Sequence, residues 1–131
     1  RMLTPRGEKQ ASRMASWLDR QLPEGVRILC SPALRCEQTV KVLGRKFKRR
    51  AELLPDGHLE DLLALAQWPN ARPPVLVVGH QPMLGQVVAH VLGWQERDCA
   101  IRKEAVWWLR HRLRNGVPQT VVLTVQTPEM V

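Results

Sequence analysis

Apolar residues follow two different spacings along the chain. Near the start they recur at helical spacing, at Ala11, Met14, Ala15, Trp17, Leu18 and Leu22. Thr4-Pro5 precedes them as an N-cap followed by proline at the first helical position, and Pro23-Glu24-Gly25 ends the pattern. The spacing therefore predicts an N-terminal helix between these two signals.

Strand and helix patterns alternate in the rest of the chain. A short strand is predicted over 26–30, and Ser31-Pro32 starts a second helix whose apolar positions include Leu34, Val40, Leu43 and Phe47. A further strand is expected over 51–54, a helix over 59–68 and a strand buried on both faces over 75–78. Pro82 opens another helix, and 105–113 and 120–125 are predicted as an antiparallel edge pair.

This alternation predicts an α/β sandwich with a mainly parallel sheet. The chain has 131 residues, with neither an internal repeat nor a long linker, so we expect one domain over residues 1–131. The composition, with 44% hydrophobic and 24% charged residues, excludes a disordered or fibrous protein. No apolar run is long enough to cross a bilayer, so no membrane partner is expected.

The charge balance favours anionic partners. Twenty Lys and Arg against twelve Asp and Glu leave a net charge of +8 at pH 7, with a pI near 10.5. The three cysteines match neither a disulfide framework nor a metal spacing. They fit a reducing compartment, and the cytoplasm is the expected location.

Candidate chemistry lies at two junctions where a strand runs into a helix that begins at proline, 28–32 and 77–82. In an open parallel sheet such junctions meet beyond the carboxyl ends of the strands, where helix N-termini attract anions. Arg35 lies in the first turn after one junction, and His80 ends the strand at the other. A guanidinium fork matches phosphate oxygens, so the pattern indicates a phosphate site. Taken singly, each residue also fits a simpler interpretation, a solvated arginine and a structural histidine.

Other reactive side chains have simpler interpretations. Cys36, next to Arg35, is expected to be a buried, inert thiol rather than an activated one. The basic run at 45–50 is interpreted as a solvated helix end, and no nucleic-acid motif accompanies it, so no nucleic-acid partner is expected. The remaining histidines are interpreted as structural or surface residues; they are His58, His90 and His111.

Three segments, in the right order, resemble motifs of the histidine phosphatase superfamily. Residues 3–11 (LTPRGEKQA) are similar to its L-T-x-x-G-x-x-Q-A segment, and residues 31–39 (SPALRCEQT) resemble S-P-x-x-R-x-x-Q-T. Residues 79–82 (GHQP) resemble its G-H-x-P turn, and 103–109 the strand that closes small members. The compact spacing is similar to that of SixA-type phosphohistidine phosphatases, which implies a three-layer α/β/α sandwich of the phosphoglycerate mutase-like fold.

The resemblance also implies roles for individual residues. Arg35 matches the arginine that holds phosphoryl oxygens, and His80 matches the second histidine, which hydrogen-bonds them. Arg1 matches, more weakly, another phosphate-contacting arginine. The scheme uses neither a cofactor nor a metal, and a phosphohistidine-containing protein is the implied partner, with phosphate or sulfate expected to bind the site.

One family element is missing from the sequence. The nucleophilic histidine of the family belongs to an Arg-His-Gly or Arg-His-Ala triplet on the first strand, and no such triplet occurs in the 131 residues. We therefore expect these 131 residues to lack the first strand of the family and to be inactive by themselves. A small-molecule ester phosphatase or mutase, and a non-catalytic phosphate-binding module, are the alternatives. An ester phosphatase would also use a carboxylate as general acid, and the candidates for it are Asp56, Glu60 and Asp61.

Overall fold

The helices and strands of the computed structural model cover most of the chain, and residues 2–97 and 99–131 are described. In chain order the elements are α1 Pro5–Gln21, β1 Arg27–Cys30, α2 Leu34–Lys41, β2 Lys48–Arg49, a 3₁₀ turn Ala51–Leu53, α3 Leu59–Leu65, β3 Val75–Val78, α4 Met83–Val91, β4 Val106–Arg114 and β5 Val117–Gln126.

The first helix begins and ends where the sequence predicts. The Thr4 side chain accepts a hydrogen bond from the Gly7 amide at 3.0 Å, and Pro5 occupies the first turn. Its buried face is formed by Ala11, Met14, Ala15 and Leu18.

A parallel three-stranded sheet in the order β2-β1-β3 forms the centre of the molecule. Side chains of β1 alternate between its two faces, as strand geometry requires. Ile28 and Cys30 pack in a cluster with residues of α1 and α2. Leu29 packs on the other face with residues that follow β2 or belong to α3 and α4. Helices therefore cover both faces, and the predicted α/β sandwich is confirmed.

The last two strands form an antiparallel ribbon, as predicted. A two-residue turn joins them at Asn115-Gly116, where both φ angles are positive, at 51° and 77°. The ribbon packs on the helices through aromatic edges, with the ring centroids of Trp17 and Trp108 6.4 Å apart. Within the described residues, β4 pairs only with β5, and β3 only with β1.

The second helix is shorter than predicted. It ends at Lys41, so Leu43 and Phe47 lie beyond it, because Gly44 adopts a left-handed conformation with a φ of 73°. The basic run at 45–50 is consequently not a helix end. It crosses a loop and forms β2, which pairs with Leu29 and Cys30 of β1.

The strand predicted over 51–54 is wrong. Ala51–Leu53 is a 3₁₀ turn, and the turn places Leu53, which is fully buried, in the core beside Leu29. The strand of this region is β2 at Lys48–Arg49, and burial of this one leucine outweighs the β propensity of 51–54. The helix predicted over 59–68 is confirmed in part, since α3 ends at Leu65.

β3 has the predicted extent, but its side chains are only partly buried. Burial on both faces was predicted, and it is incomplete because β3 has a strand neighbour on one edge only within the described residues. Among the described residues, no helix combines the length and apolar character needed to span a bilayer.

Gly85 provides a test of how α4 packs. A Cβ at this position would overlap the carbonyl oxygen of Cys99, whose amide donates a hydrogen bond to the Gly85 carbonyl at 3.1 Å. We expect Gly85→Ala to lower the free energy of unfolding by about 1–3 kcal/mol, a typical cost of overpacking. Denaturant unfolding measures this, with Gly25→Ala as control because nothing lies within 4 Å of its Cβ position. Equal midpoints for the two variants would contradict the packing described here.

Candidate active site

The two predicted junctions meet at the carboxyl edge of the parallel sheet. β1 and β3 are in register, with Cys30 opposite Val78, and the next amide, that of Ser31, donates to the Val78 carbonyl at 2.9 Å. This pairing sets the two loops that follow the strands side by side. The segments 31–35 and 79–82 therefore share one edge of the sheet.

Ser31 joins the two junctions directly. Its Oγ lies 2.8 Å from His80 Nε2 and also accepts a hydrogen bond from the Ala33 amide at 3.3 Å. Ser31 is fully buried, whereas His80 and Ala33 are partly buried, so it is the hydroxyl that is shielded from competing water. This hydroxyl thus fixes the orientation of the His80 ring. The sequence places Ser31 only at a helix start, and its contact with His80 depends on strand pairing that no local pattern reveals.

Arg35 acts electrostatically on His80. It occupies the first turn of α2, whose N-cap residue, Ala33, makes no side-chain capping bond. Burial, and then the positive charge of Arg35, lower the pKa of His80. The site therefore combines a neutral imidazole, a guanidinium and a helix N-terminus with free amide groups. Such a set attracts an anion.

Glu104 is a carboxylate of this site that the sequence analysis did not assign. It is partly buried, and its Oε1 lies 3.5 Å from Thr39 Oγ1 on α2. Burial raises the pKa of Glu104, while the hydrogen bond from Thr39 and the charge of Arg35 oppose that rise. Its φ of 60° is in the left-handed region, which is uncommon outside glycine. Glu104 belongs to the 103–109 segment that resembles the closing strand of the family, but no feature of the sequence indicated that it lies near Arg35.

Cys36 borders the site as a buried thiol. Its Sγ is 3.6 Å from both His80 Nε2 and the Gly79 carbonyl oxygen. Burial raises the pKa of Cys36, although Ser31 and Arg35 oppose the effect. Burial likewise raises the pKa of Cys30 to about 12. Both thiols are thus protonated near neutral pH, which agrees with the interpretation of Cys36 as inert.

The three carboxylates considered as general acids do not lie at the site of Arg35 and His80. Asp56 and Glu60 line a cleft of about 540 Å³ together with Pro82 and Met83, and neither Arg35 nor His80 lines it. Asp61 is exposed on α3.

The other sequence candidates are also placed away from Arg35 and His80. His58 and His90 line the same cleft as Asp56, and His111 packs edge-on against Trp68. Arg1, the predicted third phosphate contact, lies outside the described residues. No group of three or more His, Cys, Asp or Glu side chains within the described part of the chain is arranged to hold a metal ion.

Gln81 ties the site to the segment that leads to Glu104. Its side-chain Oε1 accepts from the Gly85 amide at 2.8 Å, and its Nε2 donates to the carbonyl oxygens of Cys99 and Ile101 at 3.3 and 3.5 Å. The residue next to His80 therefore fixes both the start of α4 and the approach to β4.

Comparison with known proteins agrees with this geometry. The family model of the histidine phosphatase superfamily (branch 1) matches residues 2–62. The phosphohistidine phosphatase SixA of Escherichia coli (strain K12) is 35% identical over 99 residues, which cover 70% of this chain and 62% of that protein. The chain belongs to the histidine phosphatase superfamily.

Two further similarities support membership of this superfamily. The phosphohistidine phosphatase SixA homolog of Haemophilus influenzae (strain ATCC 51907 / DSM 11121 / KW20 / Rd) is 31% identical over 109 residues, covering 71% of this chain and 66% of that protein. The chain thus spans slightly less than two thirds of the curated SixA relatives. A structure of the protein histidine phosphatase SixA complexed with tungstate superposes with a TM-score of 0.72 at 28% identity, covering 98% of this chain and 85% of that one.

The effect of Arg35 on His80 can be tested through the pKa of the His80 ring. Because the guanidinium disfavours the imidazolium, Arg35→Gln should raise the pKa of His80, while Arg35→Lys should leave it low. Burial still opposes protonation, so the rise should be partial. NMR titration of the His80 ring measures it, with exposed His58 as the internal control. An unchanged or lower pKa of His80 in Arg35→Gln would refute the proximity of the two side chains.

Proposed function

We propose that this protein removes phosphate from a phosphorylated histidine of a phosphorelay or phosphotransfer protein, through a phosphohistidine enzyme intermediate. The observation that carries the proposal is the parallel pairing of β1 and β3, which sets the loop before Arg35 beside the loop of His80, and the charge of Arg35 lowers the pKa of His80. Similarity to SixA proteins supports the choice of phosphohistidine as the substrate class. We place the domain over residues 1–131 and expect a cytoplasmic location.

In this proposal Arg35 binds the phosphoryl oxygens. A cation in the first turn of a helix is unfavourably placed beside the positive end of the helix dipole, and Arg35 forms no ion pair with the described residues. A bound phosphoryl group with its negative charge relieves this repulsion. The same contacts stabilise the charge that develops during transfer.

His80 hydrogen-bonds the phosphoryl group as a neutral imidazole. Its lowered pKa keeps it uncharged near neutral pH, and Ser31 holds its Nε2 edge. Because Ser31 already holds the ring, the imidazole needs no reorientation when the phosphoryl group binds.

The nucleophile is proposed to lie on a strand beside β3. The edge of β3 opposite β1 pairs with no strand among the described residues, and Val78 and Val106 pack against the same core cluster. A strand between β3 and β4 would therefore end next to His80. The 131 residues supply no Arg-His-Gly or Arg-His-Ala triplet for it, so we propose that residues 1–131 alone bind phosphate but do not hydrolyse a phosphorylated substrate.

Glu104 favours one alternative, a phosphatase for small phosphate esters. An alcohol is a poor leaving group and needs a proton, whereas the imidazole of phosphohistidine leaves as a protonated ring more easily. Asp56 and Glu60 are directed to another cleft, which argues against their acting as that acid. Glu104 is a carboxyl with a raised pKa near Arg35, and it is the residue that an ester phosphatase would use.

Comparing substrates separates the two functions. With the complete protein, kcat/KM for a phosphohistidine protein should exceed that for small phosphate esters by at least about tenfold. Glu104→Gln should leave the phosphohistidine reaction within about threefold of the parent, since its leaving group needs no acid from the enzyme. Faster ester hydrolysis that Glu104→Gln abolishes would instead identify an ester phosphatase.

Phosphate binding and turnover are separable in the chain of residues 1–131. We expect inorganic phosphate to shift the His80 ring resonances in this chain, and Arg35→Gln to weaken that binding by tenfold or more, because charged hydrogen bonds are lost. Phosphatase activity should be at background. Robust turnover by a chain whose intact mass corresponds to residues 1–131 would disprove the external nucleophile. A complete protein that binds phosphate equally well and is also inactive would support the binding-module alternative.

A further inference from the structure

A row of basic side chains runs along one face of α1. At 100° per residue, Arg6, Lys9, Arg13 and Arg20 fall within a sector of about 60° around the helix axis. All four are exposed. From the first to the last, the row extends about 21 Å at a rise of 1.5 Å per residue. We call these four residues the basic stripe.

The positive charge of the basic stripe is not neutralised within the described residues. None of its members forms an ion pair there, whereas Arg45, Arg49, Arg50 and Arg102 all do. The acidic residues of α1, Glu8 and Asp19, lie about 130° and 110° from the centre of the stripe around the helix, and Asp19 pairs with Arg45 at 3.0 Å. The stripe is therefore the unpaired cationic face of this helix.

One end of the basic stripe lies beside the site. The Leu3 amide, just before α1, donates to the side chain of Gln38 at 2.8 Å, and Gln38 lies on α2 about one turn after Arg35. Arg6, Lys9 and Arg13 also line a depression of about 190 Å³, together with Glu129, whose carboxylate pairs with Arg102 at 2.9 Å. A macromolecule bound along α1 would thus extend towards Arg35.

We propose that the basic stripe docks an acidic face of the protein that carries the phosphohistidine. The inference rests on the proposed function, and it adds the surface that recognises the substrate protein outside its phosphohistidine. The ordered row of cations matches acidic side chains presented along a helix, where neighbours recur every three or four residues. Opposite charges across such an interface accelerate encounter and fix the register of docking.

Two other anionic partners fit the basic stripe less well. A membrane-bound helix inserts apolar side chains beside its cations, and the exposed residues along the stripe include no large apolar side chain. Single-stranded nucleic acid requires aromatic platforms, and Trp17, the aromatic residue of α1, packs edge-on against Trp108.

Charge reversal within the stripe tests the proposal. In the complete protein, Lys9→Glu/Arg13→Glu should raise KM for an acidic phosphohistidine protein about tenfold or more, with kcat unchanged. The salt dependence of kcat/KM should become weaker. The control is Arg110→Glu/Arg114→Glu, which makes the same change in net charge on exposed positions of β4 and should leave KM within about twofold.

A small substrate separates docking from chemistry. Turnover of phosphoramidate by the complete protein should be the same in the parent and in both charge variants. Absence of that turnover in the parent would refute the proposed function. If phosphoramidate is hydrolysed but both variants raise KM for the protein substrate equally, net charge alone acts and the docking surface is wrong. The proposal would also be overturned if Lys9→Glu/Arg13→Glu left KM for the phosphohistidine protein unchanged but lost binding to an RNA duplex or to anionic phosphatidylserine vesicles.

Discussion

Parallel pairing between β1 and β3 is the constraint on which the site depends. The register that places Cys30 opposite Val78 also places the residues after them, Ser31 and His80, within hydrogen-bonding distance. Neither strand carries chemistry itself, since both are short apolar segments. Their alignment converts two loops 49 residues apart in sequence into one edge with a defined geometry. A shift of one residue in this register would separate the imidazole from the hydroxyl and reverse which side chains face each helical layer.

The electrostatics of that edge favour a bound anion. The guanidinium of Arg35 and the amides at the start of α2 contribute positive potential, and His80 adds a neutral polar group held by Ser31. Glu104 is the opposing charge, and burial disfavours its ionised form. This balance leaves positive potential at the edge, since Arg35 forms no ion pair with the described residues. That balance is what the chemistry of phosphoryl transfer requires, because transfer depends mainly on position and charge.

Sequence reasoning succeeded where a local signal decides the structure. Thr4 and Pro5 define the start of α1 through a capping bond between near neighbours, and the β-branched run of β3 needs no distant information. It failed at 51–54, where burial of Leu53 against the sheet determines the backbone. At the site, Arg35 and His80 were singled out because each lies where a strand leads into a helix, and their roles stay predictions. Ser31 and Glu104 act through contacts with residues 49 and 65 positions away, so no local pattern marks their roles.

The side chain of Gln81 has a consequence for how this edge of the molecule moves. Its amide contacts the start of α4 and the carbonyl groups of Cys99 and Ile101, three residues before Glu104. The loop of His80 and the segment that leads to Glu104 are thus attached to the same side chain. A displacement of α4 would therefore be transmitted through Gln81 to the segment before Glu104. Substitution of this one residue, between the histidine and the proline, would remove support from the start of α4 and from the approach to Glu104 together.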